Sequence, residues 1–275
     1  MFEAILENVR AKTPLVHCIT NYVTVNDCAN ILLACGASPI MADDCGEAEE
    51  ITSICGALDL NIGTLNQRTI TSMLMAGKKA NELSHPVVLD PVGAGASTLR
   101  TNTAAQLLEN IRFSVIRGNI SEIKAIAQGS GTTKGVDADV NDAVTEESLG
   151  KAVSFAKELS KRTGAVIAIT GAIDIVADAK KAYAIRNGDS LMSKITGTGC
   201  MLTAIIAGFS GANPENILDA TAAAVSAMGL CGEIARERLL KTEGGGTSTY
   251  RTYLIDAMSN LNTEILNGGI KLENR

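Results

Sequence analysis

Short apolar runs bounded by turn-forming residues alternate, over the first 170 positions, with longer stretches of helical periodicity, and few architectures satisfy that alternation. The runs are Leu15–Ile19, Pro39–Met41, Leu58–Ile62, Val87–Leu89, Phe113–Ile116 and Val166–Ile169, short and mostly apolar in the manner of strands buried on both faces. Between them, Val25–Cys35, Glu47–Cys55, Gln67–Leu83, Thr101–Glu109, Ser121–Gln128 and Glu146–Arg162 carry helical spacing. Parallel strands need crossover connections, and those crossovers cover both faces of the sheet. The expected class is therefore α/β, three-layered, with a mainly parallel central sheet and helices on both faces.

Beyond residue 170 the pattern changes. Ile173–Ala177 and Ala182–Ile185 flank Asp178-Ala179-Lys180-Lys181, and Asn187-Gly188 follows as a turn signal, which predicts an antiparallel meander at the sheet edge. From Gly199 onward the chain reads as helices over Cys200–Phe209, Pro214–Leu240 and Ser248–Asn267, separated by Gly211-Ala212-Asn213 and Gly244-Gly245-Gly246. Without a Pro/Ser linker, a composition break or a repeat of solenoid length, residues 1–275 are expected to form a single domain.

Composition excludes several classes of function. Hydrophobic residues at 46% and charged residues at 20% lie far from the composition of disordered chains. Aromatics make up only 3%, so burial must come from aliphatic side chains packed at short range around glycines. A net charge of -6 offers no basic footprint for nucleic acid. The seven cysteines are odd in number and contain no C-x-x-C pair, which suits a reducing cytoplasm rather than an oxidising compartment. Met1-Phe2-Glu3-Ala4-Ile5-Leu6-Glu7 carries acid where a signal peptide needs a basic region. The longest charge-free run, Ile195–Pro214, is interrupted by glycines, Thr, Ser, Asn and Pro, so no membrane association is expected.

The strongest local signal is Thr196-Gly197-Thr198-Gly199-Cys200, which opens an Ala- and Ile-rich helix. Glycines let the backbone approach a ligand with N–H groups turned inward, and a helix N-terminus adds roughly half a positive charge. Phosphate oxygens or a developing alkoxide would be stabilised there; a plain glycine turn before a helix has the same appearance. Cys200 falls in the first turn of that helix, where the dipole and unpaired N–H groups lower a thiol pKa from its usual ~8.5. It then qualifies as a base or a polar anchor, against the alternative of a small buried hydrophobe. The other six cysteines fit that second role.

Two further clusters follow strands directly. Leu89-Asp90-Pro91-Val92-Gly93-Ala94-Gly95 places a carboxylate and a glycine turn at the carboxyl edge of the sheet, the edge at which open α/β sheets bind ligands. Arg117-Gly118-Asn119-Ile120-Ser121-Glu122 ends a strand and starts a helix, so Arg117, Asn119 and Glu122 are candidates to face the crevice of Asp90. Two carboxylates, Asp90 and Glu122, suit Mg²⁺ shared with substrate phosphates. Alternatively, Asn119 and Glu122 form a variant of the capping box, and the metal role requires Glu122 to turn away from its own helix.

Several chemistries lack their parts. There is no G-x-x-x-x-G-K-[ST], and Thr20-Asn21-Tyr22-Val23-Thr24-Val25-Asn26, the first strand-helix turn, has no G-x-G-x-x-G. His17 and His85 are the only histidines, too few for a His-rich metal site, and no G-x-S-x-G context supports a serine hydrolase.

Taken together, Val16-His17-Cys18-Ile19-Thr20-Asn21-Tyr22-Val23-Thr24-Val25-Asn26, Gly36-Ala37-Ser38-Pro39-Ile40-Met41-Ala42, Asp90-Pro91-Val92-Gly93-Ala94-Gly95, Arg117-Gly118-Asn119 with Glu122, and Gly197-Thr198-Gly199-Cys200 resemble the hydroxyethylthiazole kinase family over essentially the whole chain. The glycine motifs are common to many ribokinase-like enzymes, whereas the first two segments are particular to the thiazole kinases. The resemblance implies a ribokinase-like fold and transfer of the ATP γ-phosphoryl group, with Mg²⁺, to the alcohol of 4-methyl-5-(2-hydroxyethyl)thiazole, a salvage step feeding thiamine synthesis. It implies a homotrimer with sites at subunit interfaces. Carried over by position, Asn21, Met41 and Gly197 are expected to contact the thiazole, Arg117 and Thr170 to hold ATP with Asn119 and Gly199 beside them, and Asp90 and Glu122 to lie toward Mg²⁺. Cys200 stands where most ribokinase-like sugar kinases place Asp, a cysteine the thiazole kinases share.

A polarizable thioether such as Met41 suits a small sulfur heterocycle, and it equally suits the core at a strand end. Asp43-Asp44-Cys45-Gly46 departs from the family picture by bringing two acids near the pocket, where a solvated loop accounts for them. Competing readings are a ribokinase-like kinase of hydroxymethylpyrimidine or a pyridoxal-type alcohol, an ATP-dependent dehydratase of hydrated nicotinamide nucleotides, and a silent binding protein. Cys200 in place of an acid counts against the dehydratase, and the presence of Gly197, Gly199, Asp90 and Glu122 counts against the silent binder.

Overall fold

Helical and extended segments follow one another in the computed structural model, which describes residues 2–129 and 144–275, much as the hydrophobic spacing predicts. In chain order they are α1 (Glu3–Lys12), β1 (Leu15–Ile19), α2 (Val25–Cys35), β2 (Ser38–Met41), α3 (Ala48–Ile54), β3 (Ala57–Asn61), α4 (Gln67–Glu82), β4 (Val87–Asp90), α5 (Thr98–Asn110), β5 (Val115–Asn119), α6 (Ile120–Gly129), α7 (Leu149–Thr163), β6 (Val166–Thr170), β7 (Asp174–Ala177), β8 (Ala182–Ile185), α8 (Thr198–Ala212), α9 (Ile217–Leu240), α10 (Thr247–Asn260), α11 (Thr263–Gly269) and β9 (Leu272–Asn274). One sheet takes the strands in the order β2-β1-β3-β4-β5-β6-β7-β8-β9. From β2 to β6 every pairing is parallel, and β7, β8 and β9 run antiparallel.

Two apolar layers enclose the sheet. On one face α1, α2, α8, α9 and α10 bury residues such as Leu6, Ile31, Ile205 and Val225; on the other, α3 to α7 bury residues such as Met73, Leu107, Ile123 and Leu159. Each fully buried aliphatic side chain contributes about 1.5–3 kcal/mol, so with few aromatics the core depends on many close aliphatic contacts. Helix α8 packs across β1, β3 and β4 at a distance only small residues permit: a Cβ on Gly211 would stand 3.0 Å from the Ala57 Cβ. Helix α9 is long and apolar enough to cross a membrane, but most of it is buried inside the molecule, which makes it a core helix.

Four segments depart from the sequence reading. Helix α1 was not among the expected helices; it forms over Glu3–Lys12 and buries Ile5, Leu6 and Val9. The helix expected over Ser248–Asn267 is two helices, because Leu261 turns extended and buries its side chain while the Asn262 side chain accepts from the Ile265 N–H and starts a new helix. The helix expected from Pro214 begins at Ile217, after a turn in which the Asn213 side chain donates to the Ile5 and Phe209 carbonyls. Strand β9 was not anticipated; it extends the meander by pairing with β8. Its sequence, Leu-Glu-Asn, has no strand signature, and the open edge of β8 decides its conformation.

Candidate active site

The carboxyl ends of β1, β3, β4, β5 and β6 meet the N-terminus of α8 along one edge of the sheet. Asn21 follows β1, Asn61 and Asp90 end β3 and β4 in register with each other, and Asn119 and Thr170 end β5 and β6, also in register. Two residues before Asn119 on the same strand lies Arg117, whose Nη2 donates to the Thr170 Oγ1 at 2.6 Å and whose Nη1 lies 3.6 Å from the Asp90 Oδ2. Gly197 caps α8 in the left-handed region (φ 91°), and a Cβ there would come within 2.8 Å of the Thr24 Cγ2. Only glycine meets both demands. A Cβ on Gly199 would stand 2.5 Å from the Arg117 Nη1, so the guanidinium lies directly against the first turn of α8.

Cys200, half-buried in that turn, accepts a hydrogen bond from the Asn21 Nδ2 at 3.2 Å. The same nitrogen donates to the Asn61 Oδ1 at 3.1 Å, and the Asn61 Nδ2 donates to the Asp90 Oδ2 at 2.9 Å. The Thr203 hydroxyl, one turn beyond Cys200, donates to that oxygen at 2.9 Å. Asp90 is fully buried, and its Oδ1 has no partner. Burial pushes its carboxyl up to about 6, against the downward pull of the Arg117 guanidinium.

The expectation of a depressed thiol pKa at Cys200 is corrected. Burial and the nearby Asp90 charge raise it, outweighing hydrogen bonds from Thr24, Asn61 and Asn21, so position in a first helical turn does not decide the outcome when the sulfur is withdrawn from water beside a carboxylate. Five of the remaining cysteines are buried and Cys45 is exposed.

Glu122 and Asn119 form the capping arrangement. The Asn119 Oδ1 accepts from the Glu122 N–H and the Glu122 Oε2 accepts from the Asn119 N–H, both at 2.9 Å. Glu122 also reaches the Asp90 loop, its Oε1 accepting from the Gly93 N–H at 2.8 Å, so it joins two loops without leaving its helix. Met41 stands at the end of β2, in register with Cys18 of β1. That strand end is anchored by buried His17, whose Nε2 lies 2.7 Å from the Ala42 carbonyl. Asp43 and Asp44 are exposed, as a solvated loop requires.

A cleft of about 540 Å³ opens beside Arg117 and Thr170; Gly199 lies along it, and Leu202, Val225 and Met228 line it too. It therefore combines polar groups fit for phosphates with apolar ones fit for a flat base. A separate cavity of about 460 Å³ near α5 and α6 contains none of the candidate site residues. Among the described residues no group of three or more His, Cys, Asp or Glu side chains could cage a metal, so a divalent ion here would take much of its coordination from phosphate and water. Asn61, Thr203 and Thr24 were missed at the sequence level. The available signal was a polar residue at alternate positions of an otherwise apolar strand, Leu58-Asp59-Leu60-Asn61.

Comparison with known proteins shows the family and the fold. A profile of the hydroxyethylthiazole kinase family matches residues 6–264. A hydroxyethylthiazole kinase of Clostridium acetobutylicum is 63% identical, with 99% of each chain covered, and one of Clostridium beijerinckii is 54% identical over 96% of this chain and 93% of its own. The structure of a hydroxyethylthiazole kinase from Pyrococcus horikoshii superposes with a TM-score of 0.87 at 34% identity, covering 99% of this chain and 98% of that one. A ribokinase-like superfamily protein from Enterococcus faecalis, at 14% identity and a TM-score of 0.59 over 92% of this chain and 88% of its own, shares the fold alone. With a nine-stranded sheet of ribokinase-like type, a glycine-capped helix facing its carboxyl edge and relatives matching end to end, the chain belongs to the hydroxyethylthiazole kinase family.

Proposed function

We propose that this protein transfers the γ-phosphoryl group of ATP to the hydroxyethyl group of 4-methyl-5-(2-hydroxyethyl)thiazole in thiamine salvage, with residues 1–275 acting as one kinase domain. The observation that carries the reading is the juxtaposition of Asn21 and Cys200 on one side of the α8 N-terminus with Arg117 and Asp90 on the other, a place where an alcohol and a polyphosphate can meet. The phosphates lie along Arg117, Thr170 and the Gly199 backbone with Asn119 nearby, and the base lies among Leu202, Val225 and Met228. The thiazole occupies the side of Asn21, Met41 and Gly197.

Phosphoryl transfer through a loose transition state demands mostly positioning and charge stabilisation. The N–H groups of the first turn of α8 and the Arg117 guanidinium supply the positive field. Cys200, whose raised pKa keeps it a neutral thiol at neutral pH, holds the alcohol. The alcohol oxygen bonds to the γ-phosphorus as the bond to the departing ADP oxygen breaks, and the hydroxyl proton passes late to an oxygen of the transferred phosphoryl group, so no strong base is needed. Asp90 fits a Mg²⁺ site, since its Oδ1 is a buried carboxylate oxygen without a partner and hard oxygen donors suit that ion. Glu122, with both oxygens accepting backbone N–H groups, adds negative charge beside it. When bound, Mg²⁺ neutralises charge on the phosphates.

A homotrimer with sites at subunit interfaces is part of the proposal, supported by Tyr22 and Val23, 78% and 58% exposed immediately after Asn21. Seven free cysteines support a cytoplasmic location. The test is ADP release from Mg-ATP with hydroxyethylthiazole, with hydroxymethylpyrimidine and without acceptor, alongside light scattering. Stimulation by the thiazole alone in a trimer is expected; stimulation by no alcohol would overturn the substrate assignment, and full activity in a monomer would overturn the shared site.

A further inference from the structure

The hydrogen bonds around Asn21 and Asn61 have a fixed direction. A backbone N–H can only donate, and two of them anchor this network. The Gly63 N–H lies 2.9 Å from the Asn61 Oδ1, and the Thr24 N–H lies 3.2 Å from the Asn21 Oδ1. Each amide is thereby oriented with oxygen toward its backbone anchor and nitrogen away from it. Asn61 must then present its Nδ2 to the Asp90 Oδ2, and Asn21 must present its Nδ2 to both the Asn61 Oδ1 and the Cys200 Sγ. One amide, 2% exposed, bridges the two halves of the site.

We propose that Asn61 is a positioning residue for the reaction: with its oxygen it orients the Asn21 amide in the alcohol pocket, and with its nitrogen it turns the Asp90 carboxylate so that the Oδ1 faces the phosphate side. The inference rests on the proposed kinase activity for its kinetic meaning and on the geometry alone for the orientation. The surroundings of Asn61 are built for this. Gly63 must lack a side chain, because a Cβ there would lie 2.9 Å from the Asn61 Oδ1 and 3.1 Å from the Asn21 Nδ2. Arg100 locks the same loop to the Asp90 loop, donating from Nη2 to the Gly63 carbonyl at 2.7 Å and from Nη1 to the Val92 carbonyl at 3.0 Å. Asp90 receives a second donor, Thr203, on the same Oδ2. Both donors saturate one oxygen and leave the other unpartnered, the arrangement needed if that oxygen is reserved for a ligand. A buried amide committed to three partners is a costly group to keep unless its orientation is used.

The test compares Asn61→Leu, close in size and unable to hydrogen-bond, with Thr203→Val, Asn21→Ala and the Asn21→Ala/Asn61→Leu pair, using thiazole alcohol and Mg-ATP. Orienting partners of ligand-holding groups typically carry roughly 10- to 100-fold in activity. Asn61→Leu is therefore expected to lower kcat by about that factor and also to raise the thiazole KM, whereas Thr203→Val lowers kcat and leaves the thiazole KM unchanged. In the double variant the rise in thiazole KM is expected to fall well short of the two single effects combined, because Asn61 acts on the alcohol largely by orienting Asn21. Kinetics for Asn61→Leu close to wild type, or additive KM effects in the double variant, overturn the proposal. A crystal structure of unliganded Asn61→Leu reads the orientation directly, even if the wild type does not phosphorylate the thiazole: a displaced Asn21 amide supports the proposal, and Asn21 and Asp90 left in place refute it. If Asn61→Leu does not fold, the smaller Asn61→Ala replaces it in every arm.

Discussion

Gly199→Ala should separate nucleotide binding from folding. Gly199 is the second residue of α8, and its backbone is helical, so alanine meets no backbone strain there; exchange of glycine for alanine within a helix is worth up to about 1 kcal/mol in favour of the variant. The added Cβ would lie 2.5 Å from the Arg117 Nη1, 2.9 Å from Nη2 and 3.1 Å from Cζ. An ordinary contact distance is about 3.5 Å, so the guanidinium must retreat by roughly 1 Å. That movement gives up the 2.6 Å bond to Thr170 and the geometry presented to the phosphates. Loss of one hydrogen bond from the charged Arg117 guanidinium to a phosphate oxygen is worth about 1.5–3 kcal/mol, which corresponds to ATP binding weakened roughly 10- to 150-fold. Calorimetric titration of Mg-ATP, a thermal melt and the thiazole KM would measure the three quantities. The expected result is a loss in ATP affinity with a melting temperature a few degrees below wild type, because a helical gain of up to about 1 kcal/mol offsets only part of the lost Arg117–Thr170 bond, and the thiazole KM within about threefold of wild type. ATP affinity within twofold of wild type would refute the reasoning, since Arg117 could then be displaced without consequence.

Cys200→Ala is expected to lower kcat by about 100-fold, the scale of losing correct placement of one reactant, while the Mg-ATP dissociation constant stays within about twofold; unchanged kcat would remove the thiol from the alcohol side of the site. Asp59 is fully buried with no partner for either oxygen, and burial together with the Asp90 charge raises its pKa well above the ordinary value. The folded protein therefore binds a proton that the unfolded chain has released above about pH 4, and this group makes stability fall as pH rises from there toward its folded pKa. Asp59→Leu should stabilise the fold, by a margin that urea denaturation finds larger at pH 8 than at pH 5; an equal margin at both would show that the buried carboxyl is not the cause.

Most of the strands and helices, the mainly parallel sheet and the antiparallel meander at its edge were legible because hydrophobic spacing repeats the periods of the buried faces, whereas helix α1 and the strand order were not. Also legible were Asp90, Arg117 and Cys200, each announced by glycine or by its place just after a buried strand. The break at Leu261 and the added strand β9 were not legible, since both follow from what the neighbouring surface leaves open rather than from local preference.

The site divides along the same line. Sequence alone determined which residues could stand at the carboxyl edge, because a residue that follows a strand in an α/β alternation has few other places to go. Tertiary structure decided what each does there. Glu122 caps its own helix and also holds the Gly93 N–H, Cys200 has its thiol pKa raised rather than lowered, and Asn61, one of two polar residues inside an apolar strand, connects Asn21 to Asp90. Charge and hydrogen bonding act over a few ångströms between residues as far apart in the chain as Asn21 and Cys200, and only the packing of α8 against the sheet sets those distances.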